Sequence, residues 1–147
     1  MKTASWVILA LVGVATLVLS LVSIANAYGT SPDRIGGVSM SELSAGRPEV
    51  ETALRARRAT AAAYSTGFAT LFLFIILGPY RRGDVWAWWA LLVGMLAVSL
   101  LILLRIPLLG TGLTGGAPAA LIQLFLVGVG LALGAGRLRQ GRQGNSA

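Results

Sequence analysis

One charged residue beside a long apolar run has the chemistry to bind an anion. Arg105 follows Leu100-Leu-Ile-Leu-Leu and precedes a second short apolar segment. Charged residues in such positions often face a cavity or the interior of a helix bundle. Beyond it lies Gly110-Thr-Gly-Leu-Thr-Gly-Gly, whose backbone N–H groups could join the guanidinium in holding a carboxylate or phosphate. The residues predicted for this site are Arg105, Gly112, Gly115 and Gly116.

The same residues have a simpler interpretation. Arg105 could reach the membrane surface with its long side chain, and the glycines could form only a turn. The loop is not a nucleotide-binding P-loop, because it lacks a Gly-Lys-Ser/Thr ending and follows an apolar run instead of a strand.

Three further arginines, Arg55, Arg57 and Arg58, lie just before the second apolar run. We expect them to form an interfacial collar that keeps their helix from sliding into lipid. The alternative is a site for an anionic headgroup or partner, since basic clusters beside a membrane span attract acidic lipids. Glu51 precedes Arg55 by four residues, the favourable order for an ion pair on a helix.

An aromatic cluster opens the third apolar run, in Asp84-Val-Trp-Ala-Trp-Trp. Tryptophan prefers the membrane–water boundary, where its ring is buried and its N–H is hydrated. The sequence therefore predicts an anchoring belt at one membrane face, and an aromatic ligand cage would instead need residues converging from several helices. The belt residues are Arg81, Arg82, Trp86, Trp88 and Trp89, together with Tyr80.

Several chemistries are excluded by composition. The 147 residues include no Cys and no His, which excludes thiolate nucleophiles, disulfides, Cys/His zinc sites, iron–sulfur clusters and histidine-ligated haem. No Asp or Glu falls within an apolar run, which argues against a proton-coupled exporter. We therefore expect no enzyme activity, catalytic residues, cofactor or metal, and no nucleic-acid partner.

The elements that carry these residues are read from hydropathy. The chain is 56% hydrophobic and 12% charged, against about 25% charged for a soluble domain, and its mean hydropathy is +0.79. A membrane-spanning helix needs roughly 20 mainly apolar residues, whose backbone groups must be paired within the helix. The chain has four such runs, at about 5–26, 59–78, 85–105 and 118–136. These predict an all-α integral membrane four-helix bundle as one domain over 1–147, with an extramembrane loop at about 28–58 and a basic tail at 137–147.

The second span is predicted to extend beyond the bilayer. Pro48 suits the first position of a helix, and Glu49 and Glu51 complement the dipole of its first turn. A helix from Pro48 to Leu77 would be about 45 Å long, with its first third outside the lipid core.

The first span has an alternative as a secretory signal peptide, because Lys2 precedes it and Ala25-Asn26-Ala27 resembles a cleavage site. Its apolar stretch is nearer to span length, so we expect it to be retained. The two membrane faces are predicted to carry equal numbers of basic residues. On the face that holds the termini, these residues are concentrated in short connections. Short connections dominate the positive-inside bias, which predicts that both termini are cytoplasmic.

Small residues mark two candidate packing ridges. Gly130 and Gly134 form a GxxxG pair in the fourth span, and Ala59, Ala63 and Gly67 form a small-residue ridge in the second. Small residues let membrane helices approach closely. These ridges could pack within the chain or against another chain.

The features from Arg55 to Gly136 resemble a broad group of small bacterial four-helix membrane proteins that carry a domain of unknown function. The matching parts are the arginine-containing entry to the second span, Tyr80-Arg-Arg-Gly-Asp-Val-Trp-Ala-Trp-Trp, the late Arg105 and the glycine-rich loop. The resemblance implies a bacterial inner-membrane location and a four-helix bundle, and it implies no activity.

The function expected from these observations is non-catalytic. The chain is predicted to be an accessory or scaffold subunit of a membrane complex, or a self-associating bundle, with membrane lipids and other membrane chains as partners. The alternative is a membrane protein that binds a lipid or small anion through Arg105 and the Gly110–Gly116 loop. A channel or carrier subunit would need a polar path that one copy does not supply.

Overall fold

The computed structural model describes residues 2–29, 34–35, 38–110 and 117–136, and they are helical apart from one pair of two-residue strands and the connecting turns. The elements in chain order are α1 (Lys2–Tyr28), β1 (Arg34–Ile35), β2 (Val38–Ser39), α2 (Met40–Ser44), α3 (Pro48–Ile75), a π-helical turn (Ile76–Tyr80), α4 (Val85–Leu109) and α5 (Ala117–Gly134).

Four helical segments are long and apolar enough to cross a membrane, and they overlie the four predicted runs. The shortest has 18 residues, or about 27 Å at 1.5 Å per residue, close to the roughly 30 Å of a bilayer's hydrocarbon core. The segments are Ala4–Tyr28, Pro48–Tyr80, Val85–Leu109 and Ala117–Gly134. For the described residues, the prediction of an all-α fold with four such helices is confirmed.

The second long helix starts at Pro48, as predicted, and ends in the π-helical turn. Pro79 lies inside this turn and has no backbone N–H to donate, so the helical hydrogen-bond ladder is interrupted where the wider turn occurs. The chain then reverses at Gly83, whose φ of 99° favours glycine. Asp84 is the N-cap of α4.

The loop before α3 contains more structure than predicted. β1 and β2 pair antiparallel, and α2 follows immediately. The Ser39 hydroxyl accepts from the Glu42 backbone N–H at 3.2 Å, while the Glu42 carboxylate accepts from the Ser39 backbone N–H at 2.8 Å. This reciprocal capping box explains why so short a helix forms here.

The described residues divide into two compact units. The first unit comprises described residues of 1–14 and 71–147, and in it α4 and α5 pack as an antiparallel pair. The buried stripe of α4 repeats every four residues, as expected for one helical face, and contains Ala87, Leu91, Met95 and Ser99. The second unit covers 15–70 and contains the rest of α1, the loop elements and most of α3.

Candidate functional site

In the first unit, a buried hydrogen-bond network joins three segments that are far apart in sequence. The Ser5 and Tyr80 hydroxyls lie 2.6 Å apart, and Ser5 Oγ donates to the Gly130 carbonyl at 2.7 Å. Tyr80 is only 1% exposed. The expectation that Tyr80 joins an interfacial aromatic belt is therefore wrong, because its hydroxyl is bonded inside the unit.

The glycines of α5 make this network possible. A Cβ at Gly134 would collide with the Tyr80 hydroxyl and approach Ser5 Oγ to 2.9 Å. A Cβ at Gly130 would meet Leu9 Cδ2 at 2.8 Å. The predicted GxxxG pair thus lies against side chains of the same chain, in the close approach that small residues permit.

All four tryptophans of the chain lie in this unit, around the same turn. The guanidinium carbon of Arg81 lies 4.9 Å from the centroid of the Trp6 ring, a cation–π distance. Trp88 and Trp89 make an edge-to-face contact with ring centroids 4.9 Å apart. We call the following set the arginine–tryptophan cluster: Trp6, Arg81, Arg82, Trp86, Trp88 and Trp89.

The members of this cluster differ in what they contact. Trp88 is half-buried, and its Nε1 donates to the Leu131 carbonyl at 2.9 Å, which ties the start of α4 to the end of α5. Trp86 and Trp89 are 57% and 52% exposed. Arg81 and Arg82 are also exposed. The cluster therefore has a fixed inner part and an outward-facing part.

In the second unit, two of the three predicted collar arginines contact α1 or the residue that follows it. Arg55 pairs with Glu51 at 2.8 Å, and its Nη1 donates to the Gly29 carbonyl just after α1. Arg58 Nε donates to Ser23 Oγ at 3.3 Å. A cation at a helix carboxyl end satisfies free carbonyls and complements the dipole. Only Arg57 of the three is exposed.

A groove lies on α3 beside the end of α1 in the same unit. The part of the groove nearer the carboxyl end of α3 has a volume of about 440 Å³. Alanines and threonines line it, and Tyr28 and Tyr64, which are 79% and 78% exposed, stand among them. We call this surface the α3 groove, lined by Ala27, Tyr28, Thr52, Arg55, Ala56, Ala59, Thr60, Ala63 and Tyr64.

The predicted small-residue ridge of α3 has both buried and exposed members. Ala59 is buried, whereas Ala63 is exposed and lines the groove. A Cβ at Gly67 would meet no described atom within 4 Å. In contrast to the α5 pair, Gly67 therefore makes no close helix contact within the described part of the chain.

Arg105 lies near the end of α4, half-buried, five residues before the helix cap Gly110. Gly110 adopts a φ of 62° and donates its N–H to the Ile106 carbonyl. The other residues predicted for the anion site, Gly112, Gly115 and Gly116, lie outside the described residues, as does the basic tail 137–147.

The sequence reasoning missed the partners of two buried hydroxyls. Ser5 and Ser20 are polar residues in an apolar run, which is a signal for hydrogen bonding between membrane helices. Ser20 Oγ lies 2.7 Å from Ser65 Oγ in the second unit.

Among 2–29, 34–35, 38–110 and 117–136, no group of three His, Cys, Asp or Glu residues could hold a metal ion.

No protein-family model, no curated protein and no solved structure matches the chain.

Proposed function

We propose that the chain is a multi-pass membrane protein whose four long helices span the lipid. The distribution of side chains supports this proposal. Large apolar residues are exposed on each of the four long helices, while several buried positions carry serine or alanine. Soluble proteins bury their large apolar residues and rarely expose them along every helix. The exposed examples are Leu19, Leu71, Leu100 and Phe125.

We further propose that the protein is a non-catalytic subunit that associates with another membrane chain through the α3 groove. The observation that carries this proposal is that Ala63 lines the groove and is exposed, and that Gly67, four residues further along α3, is also exposed. Small residues in a membrane helix permit close approach of a second helix, which gains dispersion contacts along the shared surface.

The shape of the groove favours a helix as its occupant. The alanine-lined surface would accept large apolar side chains, and the exposed rings of Tyr28 and Tyr64 would contact them. Thr60 Oγ1 already donates to the Ala56 carbonyl at 3.0 Å, so its hydroxyl demands no partner from the incoming helix. The occupant is thus an apolar transmembrane helix, from a second copy or from a different chain, against the part of the groove lined by Ala59, Thr60, Ala63 and Tyr64.

Mass measurement of the full chain tests this proposal after extraction in a mild detergent. We expect a complex with a second membrane chain, and we expect Ala63→Leu to dissociate it by filling the groove. Gly128→Leu is the matched control, because Gly128 is an exposed glycine of α5 and a Cβ added there would have no described atom within 4 Å. A wild-type chain that is always a lone monomer would overturn the association.

We propose the inner membrane of a bacterium, with both termini in the cytoplasm. The short turn between the π-helical turn and α4 supports this orientation, because Arg81 and Arg82 there are exposed and the positive-inside bias is strongest for short connections.

A further inference from the structure

We propose that the arginine–tryptophan cluster is a binding site for an anionic phospholipid, with Arg81 and Arg82 on the phosphate and α4 along the acyl chains. This inference rests on the membrane location proposed above, and it does not depend on the α3 groove or its partner.

The first argument is uncompensated charge. Arg81 and Arg82 are adjacent and exposed, and Asp84 is the only acidic residue between Ala53 and the end of the chain. In the described part of the chain neither Arg81 nor Arg82 forms an ion pair with Asp84. Arginine at a membrane surface attracts acidic headgroups.

The second argument is preorganisation of one arginine. The Trp6 ring lies under the guanidinium of Arg81 at 4.9 Å, which restricts a side chain that is otherwise flexible. A guanidinium can contact an aromatic ring and still present N–H donors to a phosphate, and its planar fork matches two phosphate oxygens. A preorganised fork loses less conformational entropy on binding than a free side chain.

The third argument is an apolar face that starts at these arginines and continues along α4. Trp86, Trp89, Val93, Leu96 and Leu100 are all exposed and are spaced three and four residues apart, which places them on one side of the helix. From Trp86 to Leu100 this face is about 21 Å long at 1.5 Å per residue. That length exceeds the roughly 15 Å of one leaflet's hydrocarbon.

These features together favour a lipid over a dissolved phosphate or an acidic protein segment. A dissolved anion would use the arginines alone and leave the apolar face without a role. Exposed indole rings at the boundary beside a phosphate group suit a ligand that is charged at one end and apolar along the rest.

The experiment uses tryptophan fluorescence, because every tryptophan of the chain lies in the cluster. The full chain is reconstituted in phosphatidylcholine vesicles that contain a varied fraction of lipid with brominated acyl chains. The brominated lipid is phosphatidylglycerol in one series and phosphatidylcholine in the other. Bromine quenches only nearby indoles, so the fraction at half-maximal quenching measures local preference for each lipid.

We expect phosphatidylglycerol to quench at a lower fraction than phosphatidylcholine. The double variant Arg81→Gln with Arg82→Gln is expected to lose this preference, by roughly five-fold for each arginine removed. The matched control is Arg47→Gln with Arg57→Gln, which removes the same charge from two exposed arginines of the second unit and should keep the preference.

Three results would overturn the inference. Equal quenching by the two lipids would contradict the lipid site but not the membrane location. Absence of quenching by either lipid would contradict both proposals. Loss of the preference in the presence of dissolved glycerol phosphate would show a site for a free anion instead of a lipid.

Discussion

Ser5 and Tyr80 are 75 positions apart and share a buried hydrogen bond of 2.6 Å. Ser5 also donates to the Gly130 carbonyl, so this one hydroxyl links the start of α1, the π-helical turn and α5. Hydrogen bonds between membrane helices contribute about 0.6 kcal/mol on average and up to roughly 1.7 kcal/mol. The network therefore stabilises the unit modestly, and its larger effect is to fix which faces of three segments meet.

The fit between Gly134 and Tyr80 predicts a coupled stability effect. Gly134→Ala should lower the free energy of unfolding by about 1–3 kcal/mol, because the new methyl group displaces the Tyr80 hydroxyl. In a Tyr80→Phe background the same change should cost less, although Tyr80 Cζ would still be close to the methyl group. The measurement is equilibrium unfolding in mixed micelles.

The control for this cycle is Gly128→Ala, since nothing described lies within 4 Å of the added atom. We expect it to be neutral or to stabilise by up to about 1 kcal/mol through helix propensity. Strictly additive costs for the Gly134 and Tyr80 changes would contradict the proposed contact.

Arg55 and Arg57 should differ in their contributions to stability, although each carries one positive charge. Arg55→Gln removes the ion pair with Glu51 and the hydrogen bond to the Gly29 carbonyl, and should cost about 1 kcal/mol. Arg57→Gln alters an exposed side chain and should change stability by less than about 0.5 kcal/mol. Thermal unfolding of the two variants in one detergent makes the comparison, and equal midpoints would contradict the interaction with α1.

Trp88 and Trp86 offer a second matched pair. Trp88→Phe removes the donor to the Leu131 carbonyl and should destabilise the pairing of α4 with α5 by about 1 kcal/mol or more. Trp86→Phe keeps an aromatic ring at an exposed position and should have little effect on folding. Hydrogen exchange at the end of α5 reports the difference, and faster exchange only in the Trp86 variant would be the opposite of the expected result.

The loop helix α2 should respond to acid. Hydrogen bonds from the Ser39 hydroxyl and backbone N–H hold the pKa of the Glu42 carboxyl below its usual range. A lowered pKa in the folded state means that the capping contribution is complete above the unfolded pKa and is lost as pH falls through the folded one. Amide chemical shifts of α2 across this acidic range should show the loss, and Glu42→Gln should abolish the transition because an amide does not titrate there.

The sequence predicted the long helices well because lipid imposes a length and a composition on any segment that crosses it. The bounds of α3 also followed from local signals, with Pro48 at its start and the Pro79–Gly83 region at its end. The Ser39-x-x-Glu42 pattern was a further local signal, and it predicts α2 once it is interpreted as a capping box.

Side-chain partners depended on tertiary geometry that no local pattern contains. Tyr80 has the composition of an interfacial residue but lies buried, because the turn that carries it packs against Ser5. Arg55 and Arg58 suit an interfacial collar by position, and no local pattern indicates that they also donate hydrogen bonds to the Gly29 carbonyl and to Ser23 Oγ. Gly67 and Gly134 each belong to a predicted small-residue ridge. Only the structure shows that Gly67 has open space beside it, whereas Gly134 lies against Tyr80 and Ser5.

The most direct test of the central claim is the accessibility of spin labels in a bilayer. The chain has no cysteine, so single cysteines can be placed on the four long helices without a background signal, at Leu19, Leu71, Leu100 and Phe125. Membrane-spanning helices predict that all four labels are reached by oxygen and protected from a water-soluble nickel complex. Free access of nickel at any of these positions, with the protein folded and reconstituted, would contradict the four-span account.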